Sequence, residues 1–250
     1  MDILLVNDDG YDALGLKTLA NRLIKDGHKV TVCAPERGMS GAGHAMTFRV
    51  KLSCIKREGY EYPCYSVNGY PCDCVLIGTT FMDKKPDMLI SGINSGANLG
   101  TEVLYSGTVN AAIEGAVRGI PSVGLSQWRM GEDAVNAQYA ADYFVDRLEL
   151  YYNICKGGTP ISVNCHNPSR PDVGDKIASV QGLRLYDENY EIHNEGEVTT
   201  FFLDGEPKKV KQNPLSDVAL FKEGYSTILP LRYSYNNPET AKRLRAKFGL

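Results

Sequence analysis

Fully apolar runs alternate with a helical hydrophobic spacing in the first part of the chain. Residues 3–6 and 30–34 are apolar almost without interruption, as expected of strands buried on both faces, and Pro35 ends the second run. Between the two runs, apolar residues recur at the spacing of one helix face until Gly27 ends the segment. These residues are Leu16, Leu19, Ala20, Leu23 and Ile24. A strand, a helix and a strand within about 35 residues predict a parallel βαβ unit.

The same alternation returns in the middle of the chain. Short apolar runs over residues 88–90, 123–125 and 161–164 predict three more buried strands. A helical spacing follows the first of them over residues 109–117, and a long amphipathic helix is predicted from about residue 133 to 155. Strands that alternate with helices in this way predict an α/β fold with a mainly parallel sheet.

Hairpins are predicted in two other parts of the chain. Residues 54–66 alternate loosely between apolar and polar, which is typical of paired strands. After about residue 167 the helical periodicity disappears, and charged residues mix with short β-prone runs such as residues 198–203. The tail then predicts a strand over residues 225–229 and a terminal helix from Pro238.

No flexible linker separates these regions, so the sequence predicts a single domain over residues 1–250. Its catalytic core is expected to span about residues 1–166. The remainder, about residues 167–250, is expected to form a protruding hairpin arm and a tail.

The composition is that of an ordinary globular protein, with 43% hydrophobic and 23% charged residues. The net charge of -3 gives no global reason to bind nucleic acid or an anionic membrane, so neither is expected as a partner. The apolar run at the amino terminus is too short for a signal peptide or a membrane span, and a cytoplasmic location is expected. Cys72 and Cys74 are close in sequence, but no second such pair completes a zinc site.

An acidic pair, Asp8 and Asp9, directly follows the first predicted strand and its Asn7. Ligands of parallel α/β sheets bind beyond the carboxyl ends of the strands, and this pair lies at such an end. Because neighbouring strand residues point to opposite faces, both carboxylates reach one ion only where the chain bends, and Gly10 permits that bend. Oxygen ligands favour Mg²⁺ or Mn²⁺. A turn in which one aspartate caps the next helix explains the pair equally well.

The loop after the second predicted strand contains Ser40, Gly41 and His44. In a parallel unit this loop emerges at the same sheet edge as the acidic pair, where the Ser40 hydroxyl could contact the same ion. A histidine such as His44 could act as an acid or base near neutral pH. A solvent-facing side chain on a flexible glycine loop is the simpler interpretation of His44, since the sequence shows no partner for it.

The glycine-rich stretch after the next buried strand carries further candidates. Asn94 offers a carbonyl oxygen to a hard cation, and Asn98 can donate a hydrogen bond to a phosphate oxygen. Ser106, Gly107 and Thr108 then open a helix, whose start presents backbone N–H groups, hydroxyls and the positive end of the helix dipole. An N-cap without a ligand also explains these three residues. Taken together, three strand ends and one helix start predict a metal-phosphate site.

Several motifs resemble those of the SurE (survival protein E) family. They are residues 6–10 (VNDDG), Ala-Pro at 34–35 followed by Ser-Gly at 40–41, residues 91–100 (SGINSGANLG) and residues 105–109 (YSGTV). The similarity runs over essentially the whole chain and includes residues 217–219 (DVA) and 224–231 (GYSTILPL). The order and spacing of several long motifs argue against a chance match.

The resemblance implies a Rossmann-like, three-layer α/β/α fold with a hairpin arm and a carboxyl-terminal tail. It also implies 5′/3′-nucleotidase activity, in which nucleoside monophosphates are hydrolysed to nucleoside and phosphate, and in some members hydrolysis of short-chain polyphosphate. The family forms homodimers or homotetramers through exchanged carboxyl-terminal elements, so the arm and tail are expected to mediate oligomerisation.

The resemblance also implies a set of site residues. One divalent metal ion per subunit, Mg²⁺ or Mn²⁺, is expected on Asp8, Asp9, Ser40 and Asn94. The phosphate or substrate pocket is expected to include Gly41, His44, Tyr70, Asn98, Ser106, Gly107 and Thr108. At Tyr70 the chain departs from the family, which usually has threonine in the corresponding Gly-Thr-Pro-x-Asp-Cys-Val segment. If Tyr70 lies near the nucleotide, the preference among bases or phosphate positions would differ.

Two mechanisms are open for such a site. In the first, a metal-activated water attacks phosphorus while Asp8 or Asp9 accepts its proton. In the second, a carboxylate takes the phosphoryl group as a covalent aspartyl-phosphate. Two other functions also stay open: a transferase, which needs an acceptor pocket, and a nucleotide-binding regulator, which does not need the metal ligands.

Overall fold

The structure of the protein is a computed structural model that describes residues 1–128, 134–166, 172–187, 189–234 and 236–248. The described residues form strands and helices that alternate along most of the chain. In chain order they are β1 (Asp2–Val6), α1 (Leu14–Lys25), β2 (Lys29–Pro35), β3 (Cys54–Arg57), β4 (Cys64–Val67), α2 (Pro71–Thr79), β5 (Met88–Ser95), a 3₁₀ helix (Gly100–Leu104), α3 (Gly107–Val117), β6 (Ser122–Gln127), α4 (Ala134–Val145), α5 (Leu148–Cys155), β7 (Ile161–Cys165), β8 (Asp175–Ile177), β9 (Asn189–Glu195), β10 (Val198–Asp204), α6 (Asp217–Lys222), β11 (Ser226–Pro230) and α7 (Pro238–Phe248).

Within the described residues, the main sheet has nine strands in the order β3-β4-β2-β1-β5-β6-β7-β11-β8. The six strands from β4 to β7 run parallel, while β3 and β11 pair antiparallel with β4 and β7. The prediction of an α/β fold with a mainly parallel sheet is confirmed. From β1 the chain builds the sheet outward on one side as far as β3, and then returns to place β5 on the other side of β1. Ligands of open α/β sheets bind at such a reversal, so the crevice between β1 and β5 is the expected place for a site.

Two hydrophobic layers sandwich the sheet because successive strand residues face opposite sides. Ile3 and Leu5 of β1 pack in one cluster with buried residues of α1, α4 and α5, among them Phe144. Leu4 and Val6 pack in a second cluster with residues of α2 and α3. This alternation confirms the three-layer α/β/α arrangement, in which the apolar runs predicted as strands are buried on both faces.

The predicted helix from about residue 133 to 155 is in fact two helices, α4 and α5, and Asp133 lies outside the described residues. The break occurs at Arg147, whose backbone N–H donates to Phe144 O rather than to Tyr143 O. The Arg147 guanidinium instead donates to Tyr143 O at 3.0 Å and to Asp175 at 3.0 Å. Hydrophobic spacing continues across this break, so the pattern alone indicates one helix.

The region after residue 167 contributes to the main sheet as well as to a hairpin. Strands β9 and β10 form the predicted hairpin as a separate two-stranded sheet, and β11 confirms the strand predicted near residues 225–229. Strands β11 and β8, however, extend the main sheet beyond β7. The sheet therefore does not end at the expected boundary of the core near residue 166.

Asp217 ties this region to the loop after β5. Its carboxylate is fully buried and accepts hydrogen bonds from the backbone N–H groups of Gly100 at 2.7 Å, Gly182 at 2.6 Å and Val218 at 2.9 Å. These three donors come from different segments, so one side chain holds the 3₁₀ helix, the chain before the hairpin and α6 together.

Replacing Asp217 by alanine should therefore lower the free energy of unfolding by about 3 kcal/mol, because three backbone donors lose their acceptor in the interior. Urea denaturation of the two proteins measures the difference. Glu223→Ala, at an exposed position just beyond α6, is the matched control and should change stability by less than about 0.5 kcal/mol. Equal midpoints for Asp217→Ala and the control would contradict the structural role of Asp217.

Candidate functional site

Asp8 lies at the centre of the edge where β1 ends and α3 begins. Its carboxylate is buried and accepts a hydrogen bond from the Thr108 hydroxyl in the first turn of α3. The same hydroxyl oxygen lies 3.4 Å from Oδ1 of Asn94, near the end of β5. The structure thus brings together Asp8, Asn94 and Thr108, which the sequence predicts as site residues from three separate motifs.

The start of α3 approaches Asp8 closely because residue 107 is glycine. A methyl group at Gly107 would lie 2.8 Å from Asp8 Cβ, 3.0 Å from Asp8 Oδ2 and 3.1 Å from Pro71 Cγ. Ser106 caps the helix, since its hydroxyl accepts the Val109 N–H at 3.1 Å. As predicted, Ser106, Gly107 and Thr108 form a capped helix start, which lies against Asp8.

Two opposing effects act on the pKa of the Asp8 carboxyl. Burial raises the pKa of its carboxyl above the ordinary value, while hydrogen bonds from the Thr108 hydroxyl and the backbone of Gly107 and Thr108 act in the opposite direction. Burial is the largest of these effects. A carboxylate here is therefore short of compensating positive charge, which a bound cation would supply.

The loop after β2 contacts the backbone of Asp8 and the segment just before α3. Met39 N–H donates to the backbone oxygen of Asp8 at 2.7 Å, and Gly43 N–H donates to Tyr105 O at 2.9 Å. Ser40 follows Met39 directly and is exposed at this edge, as is Gly41. The neighbouring turn is closed by Asn7, whose side chain both donates to Gly10 O at 2.8 Å and accepts from Gly10 N at 3.2 Å.

Asn94 is positioned by an irregularity in β5. The register with β6 shifts between Ser91 and Asn94, so β5 contains one more residue than its partner over this stretch. Such a bulge re-aims the side chains that follow it. It is accommodated at Gly92, with φ of 147°, where a Cβ atom would lie 2.3 Å from Leu125 O. The Asn94 Nδ2 group donates to Gly96 O at 2.7 Å, which orients the carboxamide.

Asn98 is held by two residues that the sequence pattern does not single out. Its backbone N–H donates to Asn164 Oδ1 at 2.8 Å, and its Nδ2 group donates to Ser126 Oγ at 2.8 Å. Asn164 also donates back to Asn98 O at 3.1 Å. Both partners are buried polar residues at the ends of predicted apolar strands, which is the signal that could have identified them. One Nδ2 hydrogen of Asn98 remains for another acceptor.

His44 has a partner that lies far away in the sequence. Its Nε2 atom is 3.0 Å from Oε2 of Glu114, a buried residue of α3 that also accepts from Arg118 at 2.7 Å. The simpler interpretation of His44 as a partnerless loop residue is therefore wrong. Contact of His44 with a substrate stays a prediction.

Tyr70 lies at the same edge, just before α2. Its backbone N–H donates to Asp73 Oδ2 at 2.9 Å, and the Asp73 carboxylate also accepts from the backbone and the hydroxyl of Thr47. Pro71 and Asp73 are residue types that favour the start of a helix, and they lie in the first turn of α2. The Tyr70 side chain is exposed, and its contact with a nucleotide stays a prediction.

The four expected metal ligands share one kind of ligand atom. Asp8, Asp9, Ser40 and Asn94 offer only oxygen atoms, which suit Mg²⁺ or Mn²⁺ and not metals that prefer sulfur. Within the described ranges, no group of three or more His, Cys, Asp or Glu residues is arranged to hold a metal ion. An ion at this edge would therefore depend on hydroxyl and carboxamide oxygens as well as on the carboxylates, and the residues present fit that requirement.

None of the helices in the described ranges has the length and apolar character needed to cross a membrane.

Comparisons with known proteins agree on one family. Residues 3–191 match the sequence profile described as "Survival protein SurE". The "5'-nucleotidase SurE" of Synechococcus elongatus is 34% identical over 255 residues, which cover 98% of each chain. That of Thermosipho africanus is 35% identical over 252 residues, which cover 99% of this chain and 98% of the relative. The crystal structure of the SurE protein from Aquifex aeolicus superposes with a TM-score of 0.82 at 32% identity, covering 98% and 99% of the two chains.

Proposed function

Because the chain belongs to the SurE family, we propose that it is a metal-dependent 5′-nucleotidase that hydrolyses nucleoside 5′-monophosphates to nucleoside and phosphate. The observation that carries this proposal is the contact between the buried Asp8 and the amino-terminal turn of α3, with Asn94 beside it. A negative ligand is favoured at a helix start, and here the helix start lies against the carboxylate of Asp8, which favours a cation. A phosphate group bound to a divalent cation satisfies both requirements.

We assign one ion per subunit, Mg²⁺ or Mn²⁺, to Asp8, Asp9, Ser40 and Asn94. When bound there, a divalent ion would lower the pKa of a water molecule and offset the charge of the phosphoryl oxygens. The Thr108 hydroxyl orients Asp8, and the Asn94 carboxamide is oriented by its hydrogen bond to Gly96. These contacts preorganise two of the four ligands before any ion binds.

The chain itself supplies the remaining groups for hydrolysis. The backbone N–H groups at the start of α3 and the remaining Nδ2 hydrogen of Asn98 would donate to phosphoryl oxygens as negative charge increases there. Asp8 or Asp9 would accept the proton of the attacking water. Attack by a carboxylate, which forms an aspartyl-phosphate, is the alternative route.

We also propose that the chain assembles into homodimers or homotetramers through its carboxyl-terminal third. The β9–β10 hairpin leaves Ile192, Phe201 and Phe202 more than half exposed, and α7 has no buried residue. Exposed apolar surface of this extent is typical of an interface. A monomer in light scattering of the purified protein would contradict the assembly.

A cytoplasmic location, and the absence of nucleic acid and membrane partners, stay predictions.

Phosphate release from AMP, GMP, CMP and UMP tests the proposed activity. We expect release with Mg²⁺ or Mn²⁺ and at least about a hundredfold less in EDTA, restored by excess metal, because the ion neutralises charge in the transition state. Adding 3′-AMP and tripolyphosphate measures the wider substrate range that the family resemblance implies.

Release that is unaffected by EDTA would contradict the proposal. Nucleotide binding without turnover would indicate a regulator, and transfer to an added acceptor would indicate a transferase.

A further inference from the structure

A cavity of about 760 Å³ adjoins the proposed phosphate site at the carboxyl edge of the sheet. Its lining includes Gly96 and Ala97, from the same loop that carries Asn94 and Asn98, and it continues to Trp128 and His166. Cavities of this size accommodate ligands as large as a nucleotide. The proposed phosphate site is therefore next to a cavity that is lined by a different set of side chains.

Three aromatic side chains form one wall of this cavity. Trp128 follows β6, His166 follows β7, and Phe221 belongs to α6. The Trp128 and His166 rings are nearly parallel, with centroids 5.4 Å apart and an interplanar angle of 25°. Phe221 is buried behind them, with its ring centroid 5.6 Å from Trp128 and 4.8 Å from His166. Trp128 remains 38% exposed, so the supported indole still offers surface to a ligand.

The aromatic wall and the proposed phosphate site are connected by the same two strand ends. Ser126 and Asn164, which hold Asn98, lie two residues before Trp128 and His166 on their respective strands. Two residues along a strand span about 7 Å, a distance that a ribose ring can bridge. Trp128 N–H also donates to Cys165 O at 2.8 Å, which fixes the two strand ends relative to each other.

The cationic side chains around the cavity suit an anionic ligand, and the aromatic wall suits a flat, uncharged ring. Arg184, Lys208, Lys209 and Lys222 lie on its rim, and the Arg184 guanidinium is 3.3 Å from Glu102. An aromatic wall of this kind binds nucleobases through stacking, which every base permits and which increases with ring area. Purines, with two fused rings, cover more of an indole face than pyrimidines.

We propose that Trp128 and His166 form a base-stacking site that selects nucleotides, and purine nucleotides in particular, over phosphate esters without a base. The assignment rests on the proposed function for the position of the phosphate group, and it adds the residues that recognise the base. The sequence pattern gives no sign of it, because the three aromatic residues come from separate segments that only the fold brings together.

The chain contains a single tryptophan, so its fluorescence reports on Trp128 alone. We expect AMP and adenosine to quench this fluorescence in EDTA, where no turnover occurs, and ribose 5-phosphate to leave it unchanged. In steady-state assays with Mg²⁺, Trp128→Ala should lower the ratio of kcat/KM for AMP to kcat/KM for ribose 5-phosphate by about tenfold. Trp128→Phe retains an aromatic ring and should recover most of that ratio.

The outcomes separate the base site from the proposed function. Quenching by AMP without any phosphate release would support the base site and contradict the nucleotidase. Phosphate release with an unchanged ratio in Trp128→Ala, and no quenching by AMP or adenosine, would overturn the base site and leave the nucleotidase intact. If Trp128→Ala fails to fold, the fluorescence titration of the unmodified protein decides the matter: quenching by AMP and adenosine supports the base site, and no quenching overturns it.

Discussion

Replacing Asp8 by asparagine should reduce phosphate release from AMP by roughly a thousandfold, because it removes a metal-binding charge and one of the two candidate bases. The amide keeps an oxygen that can accept the Thr108 hydroxyl, so the local geometry at α3 should survive. Burial raises the pKa of the Asp8 carboxyl, which means that a neutral side chain is easier to bury at this position. We therefore expect the melting temperature in EDTA to equal or exceed that of the unmodified protein.

The combination of lost activity and retained stability separates a catalytic role from a structural one. Phosphate release and thermal unfolding should be measured on the same preparations. Asp12→Asn is the matched control, because the Asp12 side chain is 67% exposed and pairs with Lys17 at the surface. It should retain activity within about twofold, since it makes the same chemical change outside the site. Full activity in Asp8→Asn would overturn the proposed metal site.

Replacing Gly107 by alanine should lower kcat/KM by about a hundredfold, although the change adds only one methyl group. That methyl would lie 2.8 Å from Asp8 Cβ, an atom that cannot move without shifting the end of β1. Alanine is the better helix former by about 1 kcal/mol at most, so helix propensity favours the variant while the steric clash disrupts the site. We expect the clash to separate Asp8 from the helix start and so to weaken both metal binding and phosphate binding.

Gly157→Ala is the control for this substitution. Among the described residues, no atom beyond Gly157 and its chain neighbours lies within 4 Å of a methyl group at this position, and its backbone needs no positive φ. Activity and circular dichroism of the control should match those of the unmodified protein. Activity of Gly107→Ala within twofold of the control would show that the approach of α3 to Asp8 is not required for function.

The β1-α1-β2 unit and the carboxyl edge of the sheet could be predicted because their signals are local. A run such as residues 3–6 indicates a strand from its own composition, and strand ends of a parallel sheet meet at one edge whatever the rest of the chain does. That rule brings Asp8 and Asn94 to one edge, and Thr108 contacts both from the start of the helix that follows. Their roles as ligands stay predictions.

Features that depend on tertiary contacts could not be predicted. Helix α2 is buried on most sides and therefore shows no amphipathic spacing, although Pro71 and Asp73 are recognisable start signals. Strand β8 has three exposed residues and no hydrophobic pattern. The pairing of His44 with Glu114 joins residues 70 positions apart, and Arg147, at the break between α4 and α5, donates to Asp175 of β8. In each case the deciding contacts join residues that are far apart in the sequence and that only the fold brings together.

The position of β11 and β8 beside β7 has a practical consequence for anyone who shortens this protein. A fragment that stops near residue 166 would leave the hydrogen-bonding edge of β7 uncovered, and Ile161 and Val163 would lose β11 as their neighbour. Bare edges of this kind pair with other chains and promote aggregation. Such a fragment would also lack Asp217, the acceptor for Gly100 N–H beside the proposed phosphate loop. A minimal version of the catalytic unit should therefore retain β8, α6 and β11, and any deletion should be confined to the β9–β10 hairpin or α7.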